Sequence, residues 1–103
     1  MSRKPIRPGE KVPLKLTAAQ RALIVDDLLC LDREYERLLR ATPSAEPIMM
    51  TLDELDDFAG YIAAEANHCD QRAKCRQLDA VFEKIQNLLD RYIEVADEPL
   101  PNR

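Results

Sequence analysis

The sequence predicts an all-α fold: a three-helix bundle with helices over about residues 18–40, 52–67 and 71–96. After the first 16 residues, apolar side chains recur at spacings of three and four residues, which is the period of an amphipathic helix. The 103 residues include only two glycines and no tryptophan, and this composition disfavours sheet folds with many tight turns. A chain of this length is expected to form a single domain.

The first 16 residues are predicted to form an extended basic arm, because three prolines and Gly9 prevent a helix there. Residues 1–11 are expected to be mobile in the free protein, since this stretch has little apolar surface to bury. The arm has five basic side chains and one acidic one, within a chain whose net charge is −4. The basic residues of the arm are Arg3, Lys4, Arg7, Lys11 and Lys15.

The first predicted helix begins at a capping box of Thr17 and Gln20. In its first half, ten successive residues include only two polar ones, Asp26 and Asp27. A helix that is apolar on nearly every side has to be covered from more than one direction. We therefore expect a second subunit to pack on it, and a well-packed monomer is the other interpretation of the same pattern. The expected interface residues are Leu23, Ile24, Val25, Leu28, Leu29 and Leu31.

The second predicted helix begins at another capping box, formed by Thr51 and Glu54. Acidic residues fill its first turns, and residues 51–70 contain no lysine or arginine. This face is predicted to recognise a basic partner, and an ordinary solvated surface is the simpler alternative. Gly60 costs about 0.5–1 kcal/mol relative to alanine in a helix, so we expect a neighbouring helix to approach closely there. The acidic residues of this surface are Asp53, Glu54, Asp56 and Asp57.

The third predicted helix is separated from the second by a break between Asn67 and Asp70, where the apolar register shifts. Residues 14–16 and 48–50 each alternate apolar and other side chains ahead of a capping threonine, which allows a minimal pairing of two strands. The single helical domain is thus predicted to extend over residues 17–98, followed by a short tail at residues 99–103.

Two segments carry a resemblance to known sequences. TLDELDDFAGYIAAEANH, from Thr51 to His68, and LDAVFEKIQNLLD, from Leu78 to Asp90, together resemble a helical segment in uncharacterised open reading frames of bacterial plasmids and mobile elements. The resemblance implies a bacterial helical module and no activity. It assigns no catalytic or ligand-binding residue.

Glu65 and His68 form the one arrangement typical of metal chemistry, since residues three apart share a helix face. Di-iron bundles take such a pair from each of two helices, and this chain has a single histidine. A complete site therefore needs a homodimer and an inward carboxylate such as Asp26 or Asp27. The alternative is a solvated Glu65 and a His68 stabilised at a helix end.

The three cysteines, Cys30, Cys69 and Cys75, are an odd number without the spacing of a metal site. We expect reduced thiols and no disulfide. No apolar run approaches the roughly 20 residues that span a bilayer, and the N-terminus lacks the apolar stretch of a secretory signal. A cytoplasmic location without a membrane partner is therefore expected.

Enzyme motifs are missing: the sequence has no glycine-rich phosphate loop and no Gly-x-Ser-x-Gly. We expect no catalytic residue and no cofactor. The sequence favours a non-catalytic bacterial interaction or regulatory module, which self-associates through its first helix or binds a basic protein. A nucleic-acid-associated protein that uses the basic arm is the alternative. Against it, no predicted helix has a basic face, and the arm lacks aromatic residues for base stacking. A metal-dependent enzyme with a dimeric carboxylate–histidine site is a weaker alternative.

Overall fold

A computed structural model of the chain describes residues 3–27 and 32–95. In these residues it has four helices and four strands of three residues each, so the prediction of an all-α three-helix bundle is wrong. The chain combines helices with two small two-stranded sheets. In chain order, the elements are β1 (Lys4–Ile6), β2 (Val12–Leu14), α1 (Ala18–Asp27), α2 (Arg33–Ala41), β3 (Ile48–Met50), α3 (Leu52–Asn67), α4 (Arg72–Arg91) and β4 (Tyr92–Glu94).

The first predicted helix is divided into α1 and α2. Asp32 precedes α2 with an extended backbone, and its carboxylate accepts a hydrogen bond from the Glu34 backbone N–H at 2.8 Å. An aspartate in this position satisfies a donor that the first turn of a helix leaves unpaired, so a new helix begins there. The apolar period of the sequence continues past this cap, and for that reason the sequence predicts one continuous helix over residues 18–40.

Strands β2 and β3 form an antiparallel pair in which Val12 faces Met50 and Leu14 faces Ile48. The predicted pairing of residues 14–16 with residues 48–50 therefore has the correct β3, but its partner lies two residues earlier. Side chains alternate between the two faces of a strand, so a shift of two residues leaves the same side chains directed inward. Val12 and Leu14 are accordingly both buried.

Strands β1 and β4 form a parallel pair, with Lys4 opposite Tyr92 and Ile6 opposite Glu94. Ile6 is buried, and its carbonyl accepts a hydrogen bond from the Val95 N–H at 2.9 Å. This pairing makes residues 4–6 of the predicted arm part of a sheet. It also replaces the predicted end of the third helix, because α4 ends at Arg91 and the chain continues directly as a strand.

The turn between β1 and β2 requires its glycine. The Glu10 N–H donates to the Arg7 carbonyl at 3.0 Å, and Gly9 has a φ of 81°. A turn with proline at its second position and a positive φ at its third is the type II turn, which favours glycine there. Pro8 and Gly9, from which the sequence predicts an extended arm, thus form the turn that joins β1 to β2.

The core lies mainly between α3 and α4, and the strands and the other two helices cover its margins. Both predicted helix starts are confirmed: Thr17 with Gln20, and Thr51 with Glu54, form reciprocal capping hydrogen bonds. The buried apolar residues of the helices are Ile24 of α1, Leu39 of α2, Leu55, Phe58, Ala59 and Ile62 of α3, and Leu78, Val81, Ile85 and Leu88 of α4.

The α3 capping box gives a direct test of helix stability. The Thr51 hydroxyl oxygen accepts from the Glu54 N–H at 3.1 Å, and the Glu54 carboxylate accepts from the Thr51 N–H at 2.8 Å. We expect Thr51→Ala to lower the free energy of unfolding by about 1 kcal/mol, measured by urea denaturation with circular dichroism. Ser44→Ala, in an exposed turn, is the control and should leave stability nearly unchanged. Equal stability of the two variants would show that the cap contributes nothing.

Candidate functional site

The described part of the expected apolar interface lies against the chain's own core. Ile24 is fully buried, and Leu23 and Val25 are partly buried and pack on the core. These three side chains are therefore engaged within a single copy. The other expected interface residues, Leu28, Leu29 and Leu31, lie outside the described residues.

The acidic residues predicted on the second helix are mostly exposed on α3. Asp53, Asp56 and Asp57 point to solvent, and we call these three the acidic stripe. Glu54 is partly buried and is occupied by the capping box. The carboxylates lie within the first two turns, where the helix dipole favours negative charge.

Helix α2 has a basic face that was not predicted from the sequence. Arg33, Arg37 and Arg40 are exposed and follow one another at spacings of four and three residues, so they share one side of the helix. We call them the basic stripe. The opposite side packs on the core through Leu38 and Leu39. The spacing was visible in the sequence, but it is informative only once α2 is known to be a separate helix with its own orientation.

Tyr35 joins the two helices that carry the stripes. Its hydroxyl donates to the Asp57 carboxylate at 2.8 Å, and its ring lies 5.5 Å from the Phe58 ring and 6.0 Å from the Tyr61 ring. Burial raises the pKa of the Tyr35 phenol, and the hydrogen bond to Asp57 and nearby carboxylates raise this pKa further. The acidic and basic stripes therefore lie on neighbouring helices held together by an aromatic contact and a hydrogen bond.

The outer side of α3 beyond the acidic stripe consists of small residues. Gly60 and Ala64 are exposed, and a Cβ placed on Gly60 would meet nothing within 4 Å. The expected close approach of another helix to Gly60 is thus not found in the described part of this chain. This face is open at the level of the backbone.

Of the two residues considered for metal binding, Glu65 has another partner. The Glu65 carboxylate forms an ion pair with the Lys74 ammonium at 3.2 Å, and His68 is an exposed residue at the end of α3. In residues 3–27 and 32–95, no group of three or more His, Cys, Asp or Glu side chains could hold a metal ion. Asp26 is exposed on α1, and the side chain of Asp27 lies outside the described residues.

Cys69 and Cys75 form a disulfide, which corrects the expectation of free thiols at these two positions. Cys30 lies outside the described residues. The turn between α3 and α4 brings their Cα atoms to 5.8 Å, a separation typical of disulfides. Along one continuous helix, side chains six residues apart diverge, so the disulfide depends on this turn.

The basic side chains of the arm are all exposed, and several lie along the body of the protein. Arg3 reaches the Asp90 carboxylate of α4 at 3.9 Å. The carbonyl of Lys15 accepts a hydrogen bond from the Lys84 ammonium at 2.9 Å. Lys4 is part of β1, so the arm is an integral piece of the fold. Arg7 and Lys11 flank the turn between β1 and β2.

Comparison with known proteins gives no relative: no family model matches the chain, and neither curated proteins nor solved structures show significant similarity to it. The resemblance to plasmid-borne open reading frames therefore stays a prediction. Among the described residues, no helix is both long and apolar enough to cross a membrane.

The raised pKa of Tyr35 predicts a loss of stability at alkaline pH. Above about pH 10, tyrosine ionises in the unfolded chain while folded Tyr35 keeps its proton, so the unfolded state binds fewer protons and is favoured. The contribution of Tyr35 is thus complete below that pH and declines above it. We expect Tyr35→Phe and Asp57→Asn to show a smaller alkaline decline than the wild type in urea titrations at several pH values.

Tyr92→Phe, which removes a different tyrosine hydroxyl, is the control and should keep the full decline of the wild type. Identical alkaline profiles for Tyr35→Phe and the wild type would contradict the predicted contact with Asp57.

Proposed function

We propose that this protein is a non-catalytic interaction module whose copies associate through the acidic stripe of α3 and the basic stripe of α2. The observation that carries the proposal is the presence of both stripes, each made of exposed residues, on neighbouring helices of one chain. The basic partner expected from the sequence is then supplied by a second copy. The sequence predicts self-association through the apolar first half of the first predicted helix. This proposal assigns the contact instead to α2, the polar second half of that predicted helix.

A two-fold arrangement makes the two stripes complementary. In such an interface the same patch is used by both subunits, so α2 of each copy faces α3 of the other. Arg33 and Arg37 then face Asp53 and Asp56 twice. Within each copy, Arg40 also pairs with Glu36 and Asp57 accepts from Tyr35. At 1.5 Å per residue, the acidic stripe is about 6 Å long and the basic stripe about 10 Å long, so the acidic stripe fits within the length of the basic stripe.

The small residues of α3 support a helix as the occupant. With Gly60 and Ala64 exposed and open space over Gly60, a partner helix can approach the α3 backbone more closely than larger side chains would allow. Packing of a partner helix on Gly60 would offset the free-energy cost of a glycine inside a helix. No contact within the described part of one chain does so.

The association is expected to be weak and sensitive to salt. Ion pairs at a surface contribute about 0–1 kcal/mol each, and exposed charges are screened over about 10 Å at 0.1 M salt. Such charges determine the rate of encounter and the choice of partner more than the affinity. A weak, selective contact suits a regulatory or adaptor role. A cytoplasmic location remains part of this proposal, and reducing conditions there would open the Cys69–Cys75 disulfide.

Charge reversal on either stripe tests the proposal. We expect the wild type to dimerise in sedimentation velocity runs at low salt and to dissociate at high salt. Asp53→Lys with Asp56→Lys should abolish the dimer, and so should Arg33→Glu with Arg37→Glu, because each change places like charges opposite one another. A mixture of the two double variants should form a heterodimer, since both contacts become attractive again.

The matched controls lie on the exposed side of α4. Asp79→Lys with Glu83→Lys, and Arg72→Glu with Arg76→Glu, make the same changes of charge at exposed positions outside the stripes and should leave association unchanged. A wild type that is monomeric at every protein concentration and low salt, or a mixture that does not reassociate, would contradict the proposal.

A further inference from the structure

A concave site with a volume of about 330 Å³ lies between β2 and the C-terminal half of α4. Three cations line it: Lys15, Lys84 and Arg91. No carboxylate belongs to its lining in the described chain. Within a protein of net charge −4, this convergence of positive charge is unexpected, because like charges destabilise one another unless an anion lies between them.

Lys84 is held in place by neutral groups. Its ammonium donates to the Lys15 carbonyl at 2.9 Å and to the Gln20 side-chain carbonyl at 2.8 Å. Gln20 is itself buried and fixed by the Thr17 capping box. A lysine ammonium has three donors, so one N–H remains after these two bonds. The partly buried ammonium of Lys84 forms no ion pair with the described residues, so its positive charge is not neutralised by them.

The rest of the lining suits an organic ligand. Asn87 and Tyr92 add polar groups to the lining, and the buried side chains of Leu14 and Leu88 add apolar surface. Small-molecule sites commonly have volumes of about 300–1,000 Å³, apolar walls and a few placed polar groups. The volume of this site lies at the lower end of that range, and its lining is richer in polar groups than is usual.

We propose that this cleft binds a small ligand that carries a phosphate group. Arginine presents a planar fork that matches phosphate oxygens, and lysine supplies a compact charge with several donors. Arg91 and Lys15 are exposed and form no ion pair with the described residues, so both are available to an anion. The dipole of α4 contributes only about half a negative charge near its C-terminus, less than the three cations provide.

A phosphate could also belong to a nucleic acid strand. Proteins that hold single strands use an extended basic groove with aromatic side chains along it, whereas these cations converge on one concavity. The acidic stripe and the net negative charge would also repel a long polyanion. The cleft therefore favours a small phosphate ester, and the experiment below includes an oligonucleotide to separate the two sources.

Nuclear magnetic resonance of the isotope-labelled full chain can test this site. The probes are inorganic phosphate, adenosine monophosphate, adenosine and a short thymidine oligonucleotide, each added at constant ionic strength. We expect saturable shifts at the amides of Lys15, Lys84 and Arg91 with both small phosphates, with tighter binding of the nucleotide. Adenosine, which lacks the phosphate, should cause no saturable shift.

Three variants connect the shifts to the cations. Arg91→Gln should weaken binding of adenosine monophosphate about tenfold, as expected for one lost charge-assisted contact, and Lys84→Met should weaken it at least as much. Since Lys84 also bonds Lys15 and Gln20 of α1, Arg91→Gln keeps the test valid if Lys84→Met fails to fold. Arg76→Gln, an exposed change of the same charge at the other end of α4, is the control and should bind like the wild type.

The proposal is overturned if neither phosphate causes a saturable shift, if adenosine binds as well as its monophosphate, or if the oligonucleotide alone binds. Equal weakening by Arg76→Gln and Arg91→Gln would also overturn it, because the effect would then follow net charge rather than the cleft. None of the residues changed here belongs to the stripes of α2 and α3, so this result is independent of the self-association.

Discussion

The packing of α3 on α4 is the interaction on which the rest of the structure depends. Each of the two helices buries four apolar side chains, among them Phe58, Ile62 and Ile85, which are at most 1% exposed. A fully buried side chain of this size contributes about 1.5–3 kcal/mol, whereas three-residue strands and short helices are unstable alone. The strands, α1 and α2 therefore depend for their stability on packing against α3 and α4.

This packing also determines which residues reach solvent. Because α3 uses one side for α4, its opposite side must present Asp53, Asp57 and Gly60. The orientation of α2 is fixed at one point by Tyr35 on Asp57. At its C-terminus, the guanidinium of buried Arg21 donates to the carbonyls of Thr42 and Glu46. The relation between the two charged stripes is thus a consequence of the core and of two polar contacts.

Local features of the fold were predictable from sequence, and distant pairings were not. The bounds of α3 agree with the predicted residues 52–67 because a capping box and a register break both lie within a few residues of its ends. The pairing of Lys4–Ile6 with β4 joins the two ends of the chain, and no local pattern specifies that partner. For the same reason α4 was predicted to continue past Arg91, where a strand replaces it.

In the candidate site, the acidic stripe followed from composition alone. The basic stripe did not, because it depends on α2 starting afresh at Asp32, and the Cys69–Cys75 disulfide depends on the path of a turn.

The contact between two copies can be observed most directly by intermolecular nuclear Overhauser effects in a mixture of isotope-labelled and unlabelled protein at low salt. The proposed association predicts cross-peaks between the arginine side chains of α2 in one copy and the Gly60 and Ala64 protons of the other, since these exposed groups lie beside the acidic stripe. Cross-peaks confined to other exposed apolar residues, such as Met49 or Ile93, or no cross-peaks under conditions where the protein is dimeric, would contradict it.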